Sequence, residues 1–120
     1  MTTVLLVDDE PGVRFALSEV LRDRGYRVIS VGSGLEALAA LDGVDLVVTD
    51  LSMPGMDGLE LVSQIAARAP ALPVILLTAH GSEQLLRIAS SRGACGCLSK
   101  PFDIDEIAQV VERALGRRHR

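Results

Sequence analysis

Four short runs, Val4–Val7, Asp45–Thr49, Pro73–Leu77 and Cys95–Leu98, are almost continuously apolar, and between them the apolar residues recur at helical spacing. A strand with one face in water alternates polar and apolar side chains, whereas these runs have little polar face to offer, so both sides of their sheet must be covered. Tyr26–Val31 reads as a further strand, and strand-like runs alternate with helical segments five times. Parallel strands need such crossovers. The fold class predicted is α/β, a three-layer sandwich around a five-stranded parallel sheet.

The helices can be placed from their ends. Pro11 tolerates a first helical position and opens a helix that presents Val13, Ala16, Leu17, Val20 and Leu21 before Gly25 stops it. A short helix over Gly34–Leu41 closes at Gly43, and a third follows Gly58 with Leu59, Val62, Ile65 and Ala66 on one face and Pro70 just beyond. The fourth, about Ser82–Ser91, is the poorest in large apolar residues and should be the least firmly anchored. In the fifth, Asp103 and Glu106 stand as a capping-box-like pair ahead of Ile104, Ile107, Ala108, Val111 and Leu115. The chain reads as one domain over residues 1–116, with a basic end, Gly116–Arg120, as a frayed, solvated tail or linker stub.

At 120 residues such a domain can bury roughly two thirds of the surface its unfolded form exposes. Only 2% of the residues are aromatic, so the core must be aliphatic. A net charge of −4 argues against direct binding of nucleic acid, which needs a clustered positive surface. No stretch approaches a membrane span, and the N-terminus enters a strand without a basic region and apolar signal core, so the expected compartment is the cytoplasm. Cys95 and Cys97 point the same way if both lie in a strand, but about two strand rises apart, too far for a disulfide. They read as small packing residues, and two thiols without further Cys or His partners fall short of a zinc set.

The chemistry gathers where the strands end. Asp8 and Asp9 follow the first run, Asp50 ends the third strand, Thr78 follows Leu77, and Lys100 closes the fifth strand. Ligands of open parallel sheets bind outside the carboxyl ends of the strands, so three acids, a hydroxyl and an amine become one candidate site. Adjacent acids in a partly desolvated place repel unless a cation holds them. Mg2+ (or Mn2+) accepts such an oxygen-rich set together with a substrate phosphate. Asp50 opens the tight loop Asp50–Gly58, and a carboxylate there can attack phosphorus if cations neutralise the transferring oxygens. Lys100 supplies one cation and Thr78 a hydrogen-bond donor. Each residue alone has a bland reading: a turn and helix cap for Asp8–Pro11, strand propensity for Thr78, a solvated lysine for Lys100. Lys100-Pro101 forms a rigid turn whose peptide can be cis or trans.

Together, Asp8-Asp9, the Asp50–Gly58 loop, Thr78-Ala79 and Lys100-Pro101-Phe102 resemble the motifs of receiver domains of bacterial two-component response regulators, over essentially the whole chain. The resemblance implies a doubly wound, flavodoxin-like strand order 2-1-3-4-5. It makes Asp50 the phosphoacceptor and has Asp9 and Asp50 hold Mg2+ through side chains, Ser52 through its carbonyl and Asp8 through bound water. Thr78 becomes the switch hydroxyl and Lys100 the phosphoryl partner. The implied donor is a phosphohistidine on a sensor histidine kinase or phosphotransfer protein. The domain catalyses its own phosphorylation and dephosphorylation and signals to an output domain or partner through helix four, strand five and helix five. Ser52, Ala79 and His80 occupy positions that tune phosphoryl lifetime. Many receivers carry an aromatic three residues before the lysine, where this chain has Cys97, so a ring-flip switch is unavailable. The stretch Thr78-Ala79-His80-Gly81 is similar to receivers of transcription regulators, and a mixed helix-four and helix-five surface points to a monomer or weak phosphorylation-dependent dimer.

Other classes fit less well. A haloacid-dehalogenase-type phosphatase places an aspartate two residues after its nucleophile, where this chain has Ser52. A flavin-mononucleotide carrier needs a phosphate-binding loop after strand one, where Asp8-Asp9-Glu10 would repel phosphate. A purely structural interaction module would have no need of the complete set of acids, hydroxyl and lysine.

Overall fold

The computed structural model describes residues 1–79, 83–100 and 103–118, with the side chains at 104, 117 and 118 excepted. Five strands and five helices alternate along the chain: β1 (Thr3–Val7), α1 (Pro11–Asp23), β2 (Arg27–Val31), α2 (Gly34–Ala39), β3 (Leu46–Asp50), α3 (Gly58–Arg68), β4 (Val74–Thr78), α4 (Glu83–Ser91), β5 (Gly96–Ser99) and α5 (Ile104–Arg118). The strands pair in parallel in the order β2-β1-β3-β4-β5, as expected.

Every residue of β1, β3 and β4 is buried, which is why these runs are apolar throughout. Alternate side chains serve two separate cores. Leu5, Val7, Val47, Val74 and Leu76 pack with Ala37 of α2, Leu61, Val62 and Ile65 of α3 and Ala89 of α4. Val4, Leu6, Leu46, Val48, Ile75 and Leu77 pack with Leu17 and Leu21 of α1 and Ile107, Val111 and Leu115 of α5.

Local sequence accounts for the helix ends. Asp57 caps α3 by accepting the Glu60 amide at 2.8 Å, and Ser33 caps α2 through the Glu36 amide at 3.2 Å. The pair ahead of α5 closes both ways: Asp103 Oδ1 accepts the Glu106 amide at 2.9 Å, and Glu106 Oε1 accepts that of Asp103 at 3.3 Å. Anchoring differs sharply between α4 and α5. Helix α5 buries Ile107, Val111 and Leu115, each worth roughly 1.5–3 kcal/mol, whereas Ala89 is the one buried residue of α4.

Several details depart from expectation. Helix α2 ends at Ala39, short of Leu41, and α5 stays helical through Arg118 where fraying from Gly116 was expected. Ala16 is exposed while Ser18 is buried, and α3 buries Leu61, so the inward faces of both helices are rotated from the apolar pattern. The two cysteines are not joined in a disulfide, and they diverge: Cys95 lies just before β5 and packs toward α1 and α5, and Cys97 packs toward the opposite core. The expected common direction required both to lie in the strand. Among the described residues no helix is long and apolar enough to cross a membrane.

Gly58, the first residue of α3, passes so close to β3 that a β-carbon there would collide with the Asp50 carbonyl oxygen and lie 2.7 Å from Leu76 Cδ1. Backbone cannot yield as a flexible side chain can. Gly58→Ala is therefore expected to lower the free energy of unfolding by about 1–3 kcal/mol. Gly12→Ala on α1, with open space around its β-carbon, should raise it by up to about 1 kcal/mol. Urea denaturation of both variants checks the pair, and equal effects would contradict the close-approach account.

Candidate functional site

The parallel sheet brings the expected groups to one edge. Asp8 is the residue after β1, Asp50 the last of β3, Thr78 the last of β4 and Lys100 the residue after β5. Because β3 lies between β1 and β4, Asp50 has the β1 end on one side and the β4 end on the other. Ligand oxygens of Asp8, Asp9 and Asp50 all lie within 4.8 Å of one another. Lys100 Nζ donates to Asp50 Oδ1 at 3.2 Å, a charge-assisted contact to an acid only 6% exposed.

Backbone hydrogen bonds fix each member. The Leu51 amide donates to the Leu77 carbonyl at 2.8 Å, extending the β3–β4 ladder one residue past Asp50. The buried Thr49 hydroxyl donates to the Asp50 carbonyl at 3.1 Å, and the Gly58 amide returns the loop to the Leu51 carbonyl at 2.8 Å. On the far side, the Lys100 amide donates to the Thr78 carbonyl at 2.6 Å, tying the lysine backbone to the threonine. Thr78 itself is 1% exposed.

The two adjacent acids are unequal. Asp8 is buried, and its Oδ1 accepts the Glu10 amide at 2.9 Å, while its buried Oδ2 has no hydrogen-bond partner among the described residues. Asp9 is exposed. Burial pushes the Asp8 carboxyl above its ordinary range, opposed by the Glu10 amide; the charges of Asp50 and Asp9 push it further up and that of Lys100 draws it down. An orphaned buried carboxylate oxygen beside two more acids is an arrangement that a divalent cation relieves, and an all-oxygen donor set suits a hard ion. The cluster is thus compatible with metal binding.

Ser52 is exposed on the β3–α3 loop, which with Leu51, Met53, Pro54 and Asp57 lines an open hollow of about 580 Å³. Ala79 is exposed just beyond Thr78. Cys97 is half-buried on β5, where burial raises its thiol pKa and so disfavours a reactive thiolate. His80 and Pro101 lie outside the described residues, and with Pro101 the isomer of the Lys100-Pro101 peptide. Glu10 occupies the N-cap position of α1, but its side chain makes no capping hydrogen bond.

Within the Asp50–Gly58 motif the structure gives the glycine a specific task, and one contributor, Arg14, lies in no motif. Gly58 is needed for the loop to pass Asp50. Arg14 Nη1 donates to the Asp8 carbonyl at 2.6 Å. The helical phase carries the signal for Arg14, since positions 14, 17, 18 and 21 share one face and the last three are buried. A cation at that phase in the first turn faces the sheet edge.

Comparison with known proteins agrees with this geometry. The family model described as "Response regulator receiver domain" matches residues 4–112, and the chain belongs to that family. It is 44% identical over 114 residues to the DNA-binding transcriptional regulator NtrC of Salmonella typhimurium, covering 93% of this chain and 24% of that protein. Sporulation initiation phosphotransferase F of Bacillus subtilis is 37% identical over 114 residues, 93% of this chain and 92% of that protein. The solved structure of Vibrio cholerae chemotaxis protein CheY4 superposes with a TM-score of 0.91 at 33% identity, covering 96% and 99% of the two chains. Against the NtrC-type regulators the chain spans about a quarter of their length. The chain is thus a response regulator receiver domain, a module of two-component signalling.

A raised Asp8 pKa has a definite sign. A carboxyl whose folded-state pKa exceeds its unfolded value favours the fold below the unfolded value, near pH 3.9, and that contribution is lost as pH rises through the folded value. At pH 7 the ionised Asp8 therefore weakens the metal-free fold. In EDTA, Asp8→Asn should raise the melting temperature at pH 7 and leave it nearly unchanged at pH 3. A divalent cation that the cluster binds, at about a hundred times its dissociation constant, should stabilise the parent by about 2.7 kcal/mol and the variant by clearly less. Differential scanning calorimetry reads both arms.

Proposed function

We propose that the domain accepts a phosphoryl group on Asp50 from a phosphohistidine and uses it to switch the surface formed by α4, β5 and α5. The observation that carries this reading is the placement of Asp50: a nearly buried carboxylate at a strand end, 3.2 Å from the Lys100 ammonium and within 4.8 Å of two further acids. An Asp50 oxygen attacks phosphorus, the new O–P bond forms as the P–N bond breaks, and the released imidazole nitrogen takes a proton from solvent. Hydrolysis reverses the loss, water attacking phosphorus to release phosphate and restore the carboxylate.

A Mg2+ (or Mn2+) ion held by Asp9 and Asp50, the Ser52 carbonyl and, through water, Asp8 would neutralise charge on the transferring oxygens. Lys100 needs little movement to pass from the Asp50 carboxylate to a phosphoryl oxygen on the same residue. The Thr78 hydroxyl, at the end of the neighbouring strand, turns to donate to that oxygen. Both movements favour one conformer of the surrounding loops, a population shift driven by the added dianion. Helix α4 is suited to respond, having only Ala89 buried. With Cys97 in place of an aromatic, the switch runs through Thr78 and α4. Ser52, Ala79 and His80 tune the lifetime of the phosphoryl group.

The donor is a histidine kinase or phosphotransfer protein in the cytoplasm, and the open hollow over the β3–α3 loop suits a macromolecular donor better than an enclosed small substrate. The reader is an output domain or partner protein, and the domain itself, acidic overall, does not grip nucleic acid. It is a monomer that at most dimerises weakly when phosphorylated.

Intact-mass spectrometry after incubation with Mg2+ and acetyl phosphate tests the chemistry. One phosphoryl group is expected on the parent and none on Asp50→Asn or in EDTA. A gain that persists in Asp50→Asn would sink the assignment. So would the combination of no gain on the parent and no change in its amide spectrum with beryllofluoride and Mg2+.

A further inference from the structure

Arg14 belongs to no motif of the site, yet it makes a short contact to its backbone. We infer that Arg14 is a positioning residue for the acid cluster and that residue 32 is glycine so that the Arg14 guanidinium can lie against the site. This inference rests on the reading that Asp8, Asp9 and Asp50 hold a divalent cation.

Four hydrogen bonds hold the turn between β1 and α1. The Asp8 amide donates to the Val31 carbonyl at 3.2 Å, the Glu10 amide donates to Asp8 Oδ1 at 2.9 Å, and the Arg14 amide donates to the Glu10 carbonyl at 3.1 Å. The fourth, Arg14 Nη1 to the Asp8 carbonyl at 2.6 Å, fixes the oxygen of the Asp8–Asp9 peptide. Peptide planarity means that setting this carbonyl also sets the Asp9 amide and the direction in which its Cα leaves. Asp9 is exposed and has no burial to orient it, so the plane of this peptide is what aims its carboxylate at Asp50. Arg14 does the aiming from one turn along α1.

Gly32 supplies the second half. It directly follows β2, and a β-carbon there would lie 3.0 Å from Arg14 Nη1 and 3.7 Å from its Cζ. A side chain at position 32 would therefore crowd the guanidinium and shift its flexible end by a few tenths of an ångström. Glu36 Oε1, 3.8 Å from the same point, borders that space and accepts the Ser33 hydroxyl at 3.2 Å.

Charge and positioning make opposite predictions for this residue. Removing the cation that sits on the Asp8 carbonyl should tighten binding of a divalent metal if Arg14 acts only through its field. Loosening the peptide that aims Asp9 should weaken it. Isothermal titration calorimetry of Mg2+ into the whole domain, with no phosphodonor present, separates the two. Arg14→Met, which keeps most of the stem, is expected to weaken binding about ten- to a hundredfold, the range for groups that orient metal ligands, and Gly32→Ala, which keeps the charge but crowds the guanidinium, to weaken it by less. Exchange of the Glu10 amide in the metal-free variants should quicken, a readout independent of metal. Unchanged or tighter Mg2+ binding by Arg14→Met overturns the inference while the metal reading stands. Absence of Mg2+ and Mn2+ binding by the parent protein overturns both.

Discussion

The parallel ladder that places β3 between β1 and β4 is the constraint from which the site follows. Its central strands are buried on both faces, so each connection must cross over through a helix and every strand returns pointing the same way. The carboxyl ends then collect at a single edge. Asp8, Asp50, Thr78 and Lys100, the outermost of which are 92 residues apart in sequence, meet there because hydrogen-bond register leaves them no other place. The close passage of Gly58 under the Asp50 carbonyl and the Leu51–Leu77 bond then fix the third strand end against the fourth.

Electrostatics at that edge leaves the protein with a standing tension. Three acids converge where at least two are desolvated, with one lysine as their nearest counter-charge at Asp50. A buried Asp8 oxygen without a partner is a local cost that a stably packed interior avoids. A divalent cation would relieve that cost, because it adds attraction where several close charges repel. Helix α4 is lightly anchored, whereas α5 is held by three large aliphatic side chains.

Legibility in the sequence varied with the range of the physics involved. Strands β1, β3 and β4 were readable because burial on both faces writes a continuous apolar run. The α5 cap was readable because Asp103 and Glu106 are three residues apart and act locally. The rotated faces of α1 and α3 were not, since Ala16 and Ser18 differ little in size and only packing against the sheet decides which turns inward. Cys95 and Cys97 looked alike for a similar reason, until the start of β5 at Gly96 put them on opposite sides.

By itself the sequence determined the fold class, the strand order through the family its motifs resemble, and the identities of the acids, hydroxyl and lysine at the strand ends. These rest on short-range periodicity and on residue chemistry, which a linear chain carries in full. Tertiary structure alone decided that Asp8 rather than Asp9 is the buried acid, that Gly58 must lack a side chain, and that Arg14 reaches back over Gly32 to the Asp8 carbonyl. Each of these depends on a contact between segments whose separation in space, set by the twist and register of the sheet, has no counterpart in their separation along the chain.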